Sequence, residues 1–154
     1  METVATPQPP FTVQRPCPWP VPVVYSGPMS SRIASIAIDA IRPRVVADFW
    51  CAVLDWRIVE EDSEGISIAP HDKRWPFIDV FAVPEGKSVK NRLHFDLRAD
   101  GVSTAEELER LLALGARRTD VGQGPDVSWV VLADPEGNEF CLLSRSVDDL
   151  ENQG

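Results

Sequence analysis

The feature that most restricts the fold is a near repeat with a spacing of roughly 60 residues. Residues 33–38 and 92–97 are short runs in which apolar side chains alternate with others, and a helical pattern follows each run. Such alternation predicts a strand, whereas apolar residues spaced by three and four predict a helix. Three more strand candidates come after each helix. We therefore predict an α+β fold of two tandem βαβββ modules, about 31–84 and about 91–144, in a domain at 31–145.

The two predicted helices have recognisable starts. Pro43 suits the first turn of one helix, and Ser103 with Glu106 matches a capping box at the start of the other. The later strand candidates are 58–60, 66–69 and 77–83 in the first module, and 118–121, 127–133 and 139–143 in the second. Pro135 and Gly137 are typical of a tight turn, so we expect the last two strands to pair.

The ends of the chain differ in composition from the repeat. Residues 1–30 hold eight of the fourteen prolines, so we expect an extended, poorly ordered arm that is either dispensable or a ligand for an aromatic groove. Met29 is an alternative start of translation. The arm has neither a signal-peptide core nor an apolar stretch long enough to cross a membrane. Residues 146–154 are expected to form an acidic, frayed tail.

Charge and cysteine usage exclude several classes of function. The formal net charge is -9, which opposes binding to the phosphate backbone of nucleic acids. Cys17, Cys51 and Cys141 are odd in number and lack a CxxC spacing, so we predict neither a disulfide framework nor a cysteine-rich zinc site. These features favour a cytoplasmic protein whose partner is a small molecule rather than nucleic acid or a membrane.

Strand alternation predicts which side chains face away from the helices. In the second module the residues expected beneath the helix are Leu93, Phe95 and Leu97. Arg92 and His94 then lie on the opposite face. Overlaying the repeats places Ser35 on His94 and Asp79 on Cys141. We predict that the two modules curl into a shared cup with the helices outside, and that these four overlaid positions converge in its hollow.

Three segments of the chain carry a resemblance to a known family. They are 49–56, 83–97 and 134–143, and their most specific parts read KNRLHFDL and DPEGNEF. In these segments the chain resembles the vicinal oxygen chelate superfamily, which includes glyoxalase-like, bleomycin-resistance and extradiol dioxygenase proteins. The resemblance covers residues 33–144 and implies the same cup-shaped fold of two modules. It also implies that two copies can pair as a homodimer, as in many relatives.

The resemblance implies a metal-ligand pattern that this chain matches only in part. Metal-using members carry His, Gln or Glu on the first strand, His on the fifth and usually Glu on the last. Only His94 matches in kind, since Ser35 is a poor ligand and Cys141 stands where the Glu is expected. Asp79 could serve, but a shift of two residues would put Phe81 in its place. His94, Asp79 and Cys141 could hold zinc or iron, yet a cysteine between apolar residues is typical of a core position. We predict no complete metal site.

Aromatic side chains near the predicted hollow indicate its ligand. Trp129 and Phe81 are candidates to face inward, so the expected guest is a flat apolar or aromatic compound. His94 is its expected polar anchor, although it could instead only hydrogen-bond within the sheet beside Arg92. Asp96 lies two residues further along the same strand, and we do not expect it to orient His94.

These residues indicate a binding protein of the glyoxalase-like type, with no assigned catalytic residue. The alternative is a metal-dependent lyase, isomerase or dioxygenase of the same superfamily, in which an ion polarises two substrate oxygens. A third interpretation is a protein-binding module whose cup is filled by its own side chains.

Overall fold

The computed structural model confirms the two βαβββ modules and describes residues 30–124 and 126–152. The first module comprises β1 (Ser35–Ala40), α1 (Pro43–Leu54), β2 (Arg57–Glu61), β3 (Gly65–Ala69) and β4 (Phe77–Ala82). The second comprises β5 (Asp96–Leu97), α2 (Thr104–Ala113), β6 (Arg117–Arg118), β7 (Trp129–Ala133) and β8 (Glu139–Leu143), and α3 (Val147–Glu151) follows. The chain divides into the units Met1–Ser31 and Arg32–Gly154, and both modules lie in the second unit. Apart from Ser30, the predicted proline-rich arm with Met29 lies outside the described residues.

Each module forms one four-stranded mixed sheet. The strand orders are β1-β4-β3-β2 and β5-β8-β7-β6. In each sheet the first strand runs parallel to the last, and the other neighbours are antiparallel. Ala37 lies opposite Asp79, and Asp96 lies opposite Cys141. If Ser35 is overlaid on His94 as predicted, Ala37 falls on Asp96, and the two ladders then place Asp79 on Cys141.

Helix α1 closes the core of both modules. It begins at Pro43, whose fixed φ suits the first helical turn, and it ends where Asp55 adopts a left-handed conformation with φ of 52°. Its buried residues are Val46, Ala47, Phe49, Trp50 and Val53. The Trp50 ring lies edge-on to Phe95 and Phe140 of the second module, at centroid distances of 5.1 Å and 5.2 Å. One apolar core therefore spans the two repeats.

Polar side chains of the second module hold both ends of α1. The Glu136 carboxylate accepts hydrogen bonds of 2.8 Å from each backbone N–H of residues 41–42, where the helix has no side-chain cap of its own. At the other end, Arg110 donates to the carbonyls of 52–53 at 2.9 Å and is paired with the buried Glu107. An acid at the start of a helix and a cation at its end both complement the helix dipole.

The structure corrects the predicted bounds of the fifth strand. It spans only Asp96–Leu97 rather than 92–97, because the chain bends at 92–93. Leu93, which we expected beneath the helix, is 87% exposed. The segment before β5 is held by side-chain contacts instead of a ladder, because Lys87 Nζ and the Asn91 backbone N–H both donate to the Glu139 carboxylate.

Helices α2 and α3 each begin with a capping box. The segment we expected to be a frayed tail begins with α3, because buried Ser146 and Asp149 form a capping box at its start. Ser103 and Glu106 form the predicted box at the start of α2. In the part of the chain that the structure describes, no helix has the length and apolar character needed to cross a membrane.

Candidate functional site

A pocket of about 490 Å³ opens on one face of the second sheet. Residues alternate along β8, so that Phe140 and Leu142 lie in the core while Cys141 and Leu143 line the pocket. All lining residues belong to the second module: Lys90, His94, Asp96, Val121, Gly122, Gln123, Trp129, Val131, Glu139, Cys141 and Leu143. Ligand pockets commonly measure about 300–1,000 Å³. The cavity is therefore of the right size for a small molecule.

Three side chains capable of metal binding or proton transfer meet at this pocket. One donor atom each of His94, Asp96 and Cys141 lies within 4.8 Å of the other two. His94 Nε2 is 3.3 Å from Asp96 Oδ1, and these side chains are 41% and 51% exposed. We did not expect Asp96 to orient His94, yet the two side chains lie at ion-pair distance. His94 stands just before β5, so its side chain is not fixed by the alternation of the strand.

The Cys141 thiol is buried beside the Asp96 carboxylate. Burial first, and then the negative charge of Asp96, raise the pKa of Cys141 to about 11. Because the thiolate is the nucleophilic form, Cys141 is not an activated nucleophile near neutral pH. Cys51, the other described free cysteine, lies half-buried on α1, and burial raises its pKa to about 11 as well.

Glu139 lines the pocket, but its carboxylate is already engaged. It accepts hydrogen bonds from Lys87 Nζ at 2.7 Å and from the Asn91 backbone N–H at 3.0 Å. Burial opposes ionisation, yet these bonds outweigh it and hold the pKa of Glu139 below its usual value. Glu139 therefore ties the segment before β5 to β8, and it is not a free acid in the pocket.

Three of the predicted ligand-binding residues come together. His94, Cys141 and Trp129 all line the pocket, and Trp129 is 40% exposed there. Asp96 joins them, and its two-residue spacing from His94 was the signal that could have identified it. The loop carrying Gln123 also joins the site, but it has no periodicity from which its position could be predicted.

The other predicted site residues lie outside the pocket. Ser35, Asp79 and Phe81 belong to the first sheet, and none of them lines the cavity. Asp79 Oδ1 accepts a hydrogen bond of 2.6 Å from Ser67 Oγ in that sheet. Arg92 is exposed at the bend before β5 and is not a lining residue.

The donor set at the pocket fits a transition-metal ion in type and spacing. Zinc bonds of about 2.0–2.3 Å in a tetrahedral site place ligand atoms about 3.3–3.7 Å apart. The His94 to Asp96 distance of 3.3 Å already meets this spacing. The remaining separations, at most 4.8 Å, need only small rotations of partly exposed side chains. The carboxylate in this donor set therefore comes from Asp96 and not, as predicted, from Asp79.

The fold and the pocket define a class of protein with paired βαβββ modules and a sheet-lined site. Solved structures of this fold include the fosfomycin resistance protein FosX of Listeria monocytogenes in complex with Mn(II) and sulfate, at 14% identity and TM-score 0.58, covering 82% of this chain and 100% of that chain. A glyoxalase/bleomycin resistance/dioxygenase family enzyme of Burkholderia phytofirmans PsJN matches at 18% identity and TM-score 0.52, covering 73% and 97%. A glyoxalase-related enzyme of Fulvimarina pelagi matches at 16% identity and TM-score 0.52, covering 74% and 88%.

The family follows from the sequence itself. The glyoxalase-like domain model matches residues 35–143. The chain belongs to the glyoxalase-like domain family, which confirms the resemblance to the vicinal oxygen chelate superfamily. The comparison with curated proteins finds no significant match.

Proposed function

We propose that this protein binds a small apolar or aromatic compound in the pocket of its second sheet. The pocket itself carries the proposal, with a volume of about 490 Å³ and a wall that is mostly apolar. Its apolar side chains are Val121, Trp129, Val131 and Leu143. A mainly apolar wall with few polar groups is typical of small-molecule sites. Trp129 offers a half-exposed ring against which a flat compound would stack.

His94 is the proposed polar anchor of this compound. It lines the pocket, and its Nε2 lies 3.3 Å from Asp96 Oδ1. Because Nε2 faces Asp96, Nδ1 is the ring nitrogen left for a hydrogen bond to the compound. Asp96 is therefore a positioning residue for His94 in this proposal.

Fluorescence titration with anilinonaphthalenesulfonate, in the presence of a chelator, tests compound binding. Trp129→Ala is expected to weaken the affinity by roughly tenfold or more, because an aromatic wall contributes about 1.5–3 kcal/mol of apolar burial. Trp75→Ala is the matched control, since Trp75 is 60% exposed in the loop before β4 and does not line the pocket. Equal effects of both variants would mean that the probe binds elsewhere.

The same titration tests the anchor. His94→Ala is expected to weaken binding while leaving thermal stability nearly unchanged, because the side chain is 41% exposed. His71→Ala is the control, since His71 is the only other histidine and its side chain is 63% exposed outside the pocket. A large loss of stability with intact binding would mean that His94 only supports the sheet.

The second candidate is a metal-dependent lyase, isomerase or dioxygenase. It is favoured by the convergence of His94, Asp96 and Cys141, and FosX, a protein with this fold, is solved with Mn(II). An ion bound there would act as a Lewis acid toward substrate oxygens. Elemental analysis of protein purified without chelator tests this candidate. Near-stoichiometric divalent metal that is lost in His94→Ala and kept in His71→Ala supports it, and metal-free protein contradicts it.

We also propose that two copies form a homodimer. The edge strands β1 and β5 each have one neighbour only, and three apolar side chains beside them are 68%, 76% and 87% exposed: Ile33, Val89 and Leu93. Sedimentation of the full chain tests this proposal, and Leu93→Glu is expected to shift the sedimentation coefficient to that of a monomer.

A cytoplasmic location stays a prediction based on the cysteine pattern.

A further inference from the structure

The composition of the donor cluster at the pocket indicates which kind of ion it would bind. We infer that His94, Asp96 and Cys141 form a three-donor site selective for thiophilic divalent ions, with zinc as the leading example. The inference concerns the same pocket as the proposed function, but it does not require a compound to bind there.

The three donors are a nitrogen, an oxygen and a sulfur. Thiolate sulfur selects zinc and other soft or borderline ions, whereas manganese and magnesium prefer sites made only of oxygen. Three protein ligands are also the number that catalytic zinc sites use, with the fourth position left for an outside ligand. The cysteine that made the family pattern incomplete thus changes the ion preference instead of abolishing the site.

The backbone brings two of the donors together. Asp96 on β5 lies directly opposite Cys141 on β8 in a parallel pair. Cys141 is also paired with Val131 on its other side, so the sulfur is carried by the middle of three adjacent strands. The partly exposed His94 and Asp96 side chains can adjust around this buried sulfur.

The neighbouring acid does not complete the cluster. Both oxygens of Glu139 are occupied, one by Lys87 and the other by the Asn91 backbone N–H. Among the described residues, no further His, Cys, Asp or Glu belongs to the cluster. Its fourth coordination position would therefore be filled from the pocket rather than by the protein.

The equivalent place in the first sheet lacks the same chemistry. Ala37 stands where the second sheet has Asp96, and Asp79 stands where it has Cys141. Asp79 is engaged by the Ser67 hydroxyl at 2.6 Å. The first sheet thus serves as an internal comparison in which no thiophilic ion is expected.

Titration of the chelator-treated full-length protein with Co(II) tests the inference. We expect one Co(II) per chain and a near-ultraviolet thiolate-to-cobalt charge-transfer band. Zn(II) at equal concentration should displace Co(II) and remove the band, while Mn(II) should fail to do so even in roughly 100-fold excess. Absence of Co(II) binding would overturn the inference, and so would displacement by Mn(II).

Variants decide whether the band comes from this cluster. Cys141→Ala should lose it, and Cys51→Ala should keep it, because Cys51 lies on α1 outside the cluster. If Cys141→Ala does not fold, Asp96→Asn is used in its place, because the Asp96 side chain is about half exposed. This variant should weaken Co(II) binding by roughly tenfold or more. A band that survives in folded Cys141→Ala, or unchanged affinity in Asp96→Asn, contradicts the site. Loss of the dye-binding pocket without loss of the band would reject the proposed compound binding and leave this inference standing.

Discussion

The two sheets have the same strand order and register, but only the second carries the pocket described here. In the first sheet Gly65 on β3 lies opposite Phe81 on β4, and in the second Trp129 on β7 lies opposite Leu143 on β8. The Phe81 ring closes over Gly65, to within 3.1 Å of the place where a Cβ would stand. In the second sheet Trp129 and Leu143 instead both line the cavity.

This difference shows that a shared backbone does not confer a shared site. Equivalent positions differ in what their side chains already contact. Asp79 is engaged by Ser67, whereas its counterpart Cys141 faces apolar Val131 on one side and Asp96 on the other. A binding site arises where polar groups stay available beside apolar walls.

The comparison assumes that the two modules fold as one body. Trp50→Ala removes the ring that contacts Phe95 and Phe140 across the modules, and it should lower the free energy of unfolding by about 3–5 kcal/mol. Urea unfolding followed by circular dichroism should show one transition. Two separate transitions would mean that the modules are independent, and Trp75→Ala, which removes an exposed ring, is the control.

The close packing of Val80 and Phe81 against Gly65 in the first sheet can be tested by substituting Gly65. A Cβ there would stand 2.5 Å from the Val80 carbonyl oxygen, so the backbone must shift to admit it. We expect Gly65→Ala to lower the free energy of unfolding by about 2–3 kcal/mol through overpacking. Thermal denaturation measures this. If Gly65→Ala leaves the stability unchanged, the backbone of the first sheet can shift at no cost to admit the methyl group.

The helices of the two modules are capped in different ways, which gives a third test. Glu136→Ala removes the cap that the second module supplies to α1 and should cost about 1–2 kcal/mol in urea unfolding. Ser103→Ala removes a cap that is local to α2 and should cost about 1 kcal/mol. If Ser103→Ala proves clearly the more costly of the two, the cap from across the modules does not stabilise α1 as described.

The stabilising effect of Glu139, in the wall of the pocket, should depend on pH. The pKa of Glu139 is below its usual value in the folded protein, despite burial, because Lys87 and the Asn91 N–H stabilise the carboxylate. This stability is present above the unfolded pKa of about 4.3 and is lost as the pH falls through the lower folded pKa. Glu139→Gln should therefore cost about 1 kcal/mol at pH 7, and this cost should shrink as the pH falls below about 4.3 and through the lower folded pKa. A cost that does not change with pH would contradict this assignment.

Local patterns in the sequence predicted most of the fold. Alternation and helical spacing gave both βαβββ modules, Pro43 marked the start of α1, and Ser103 marked the cap of α2. They failed at residues 92–95, where the alternation is present but the strand is not. Alternation shows which residues suit a strand, but a strand forms only where the backbone also finds a ladder partner, and Glu139 holds the segment before β5 through side-chain hydrogen bonds instead.

The site was predicted in part. The predicted overlay of Asp79 on Cys141 is compatible with the ladders of the two sheets, and His94, Cys141 and Trp129 line the pocket. Asp96 was set aside although its spacing put it on the same face as His94. Ser35 and Asp79 lie in the first sheet, away from the pocket. The repeat predicts that they are equivalent to His94 and Cys141, but it does not predict whether equivalent residues of the two sheets lie close together.

Local sequence patterns were enough to predict the helices and strands, their order and the faces of most strands, because these depend on neighbours within a few residues. Long-range packing set Phe81 against Gly65 in the first sheet and made Trp129 and Leu143 line a pocket in the second. It also decided that Glu136 serves a helix of the other module and that Glu139 is occupied by Lys87. Those outcomes depend on contacts between residues far apart in the chain, and no local pattern encodes which of several available partners a side chain will reach.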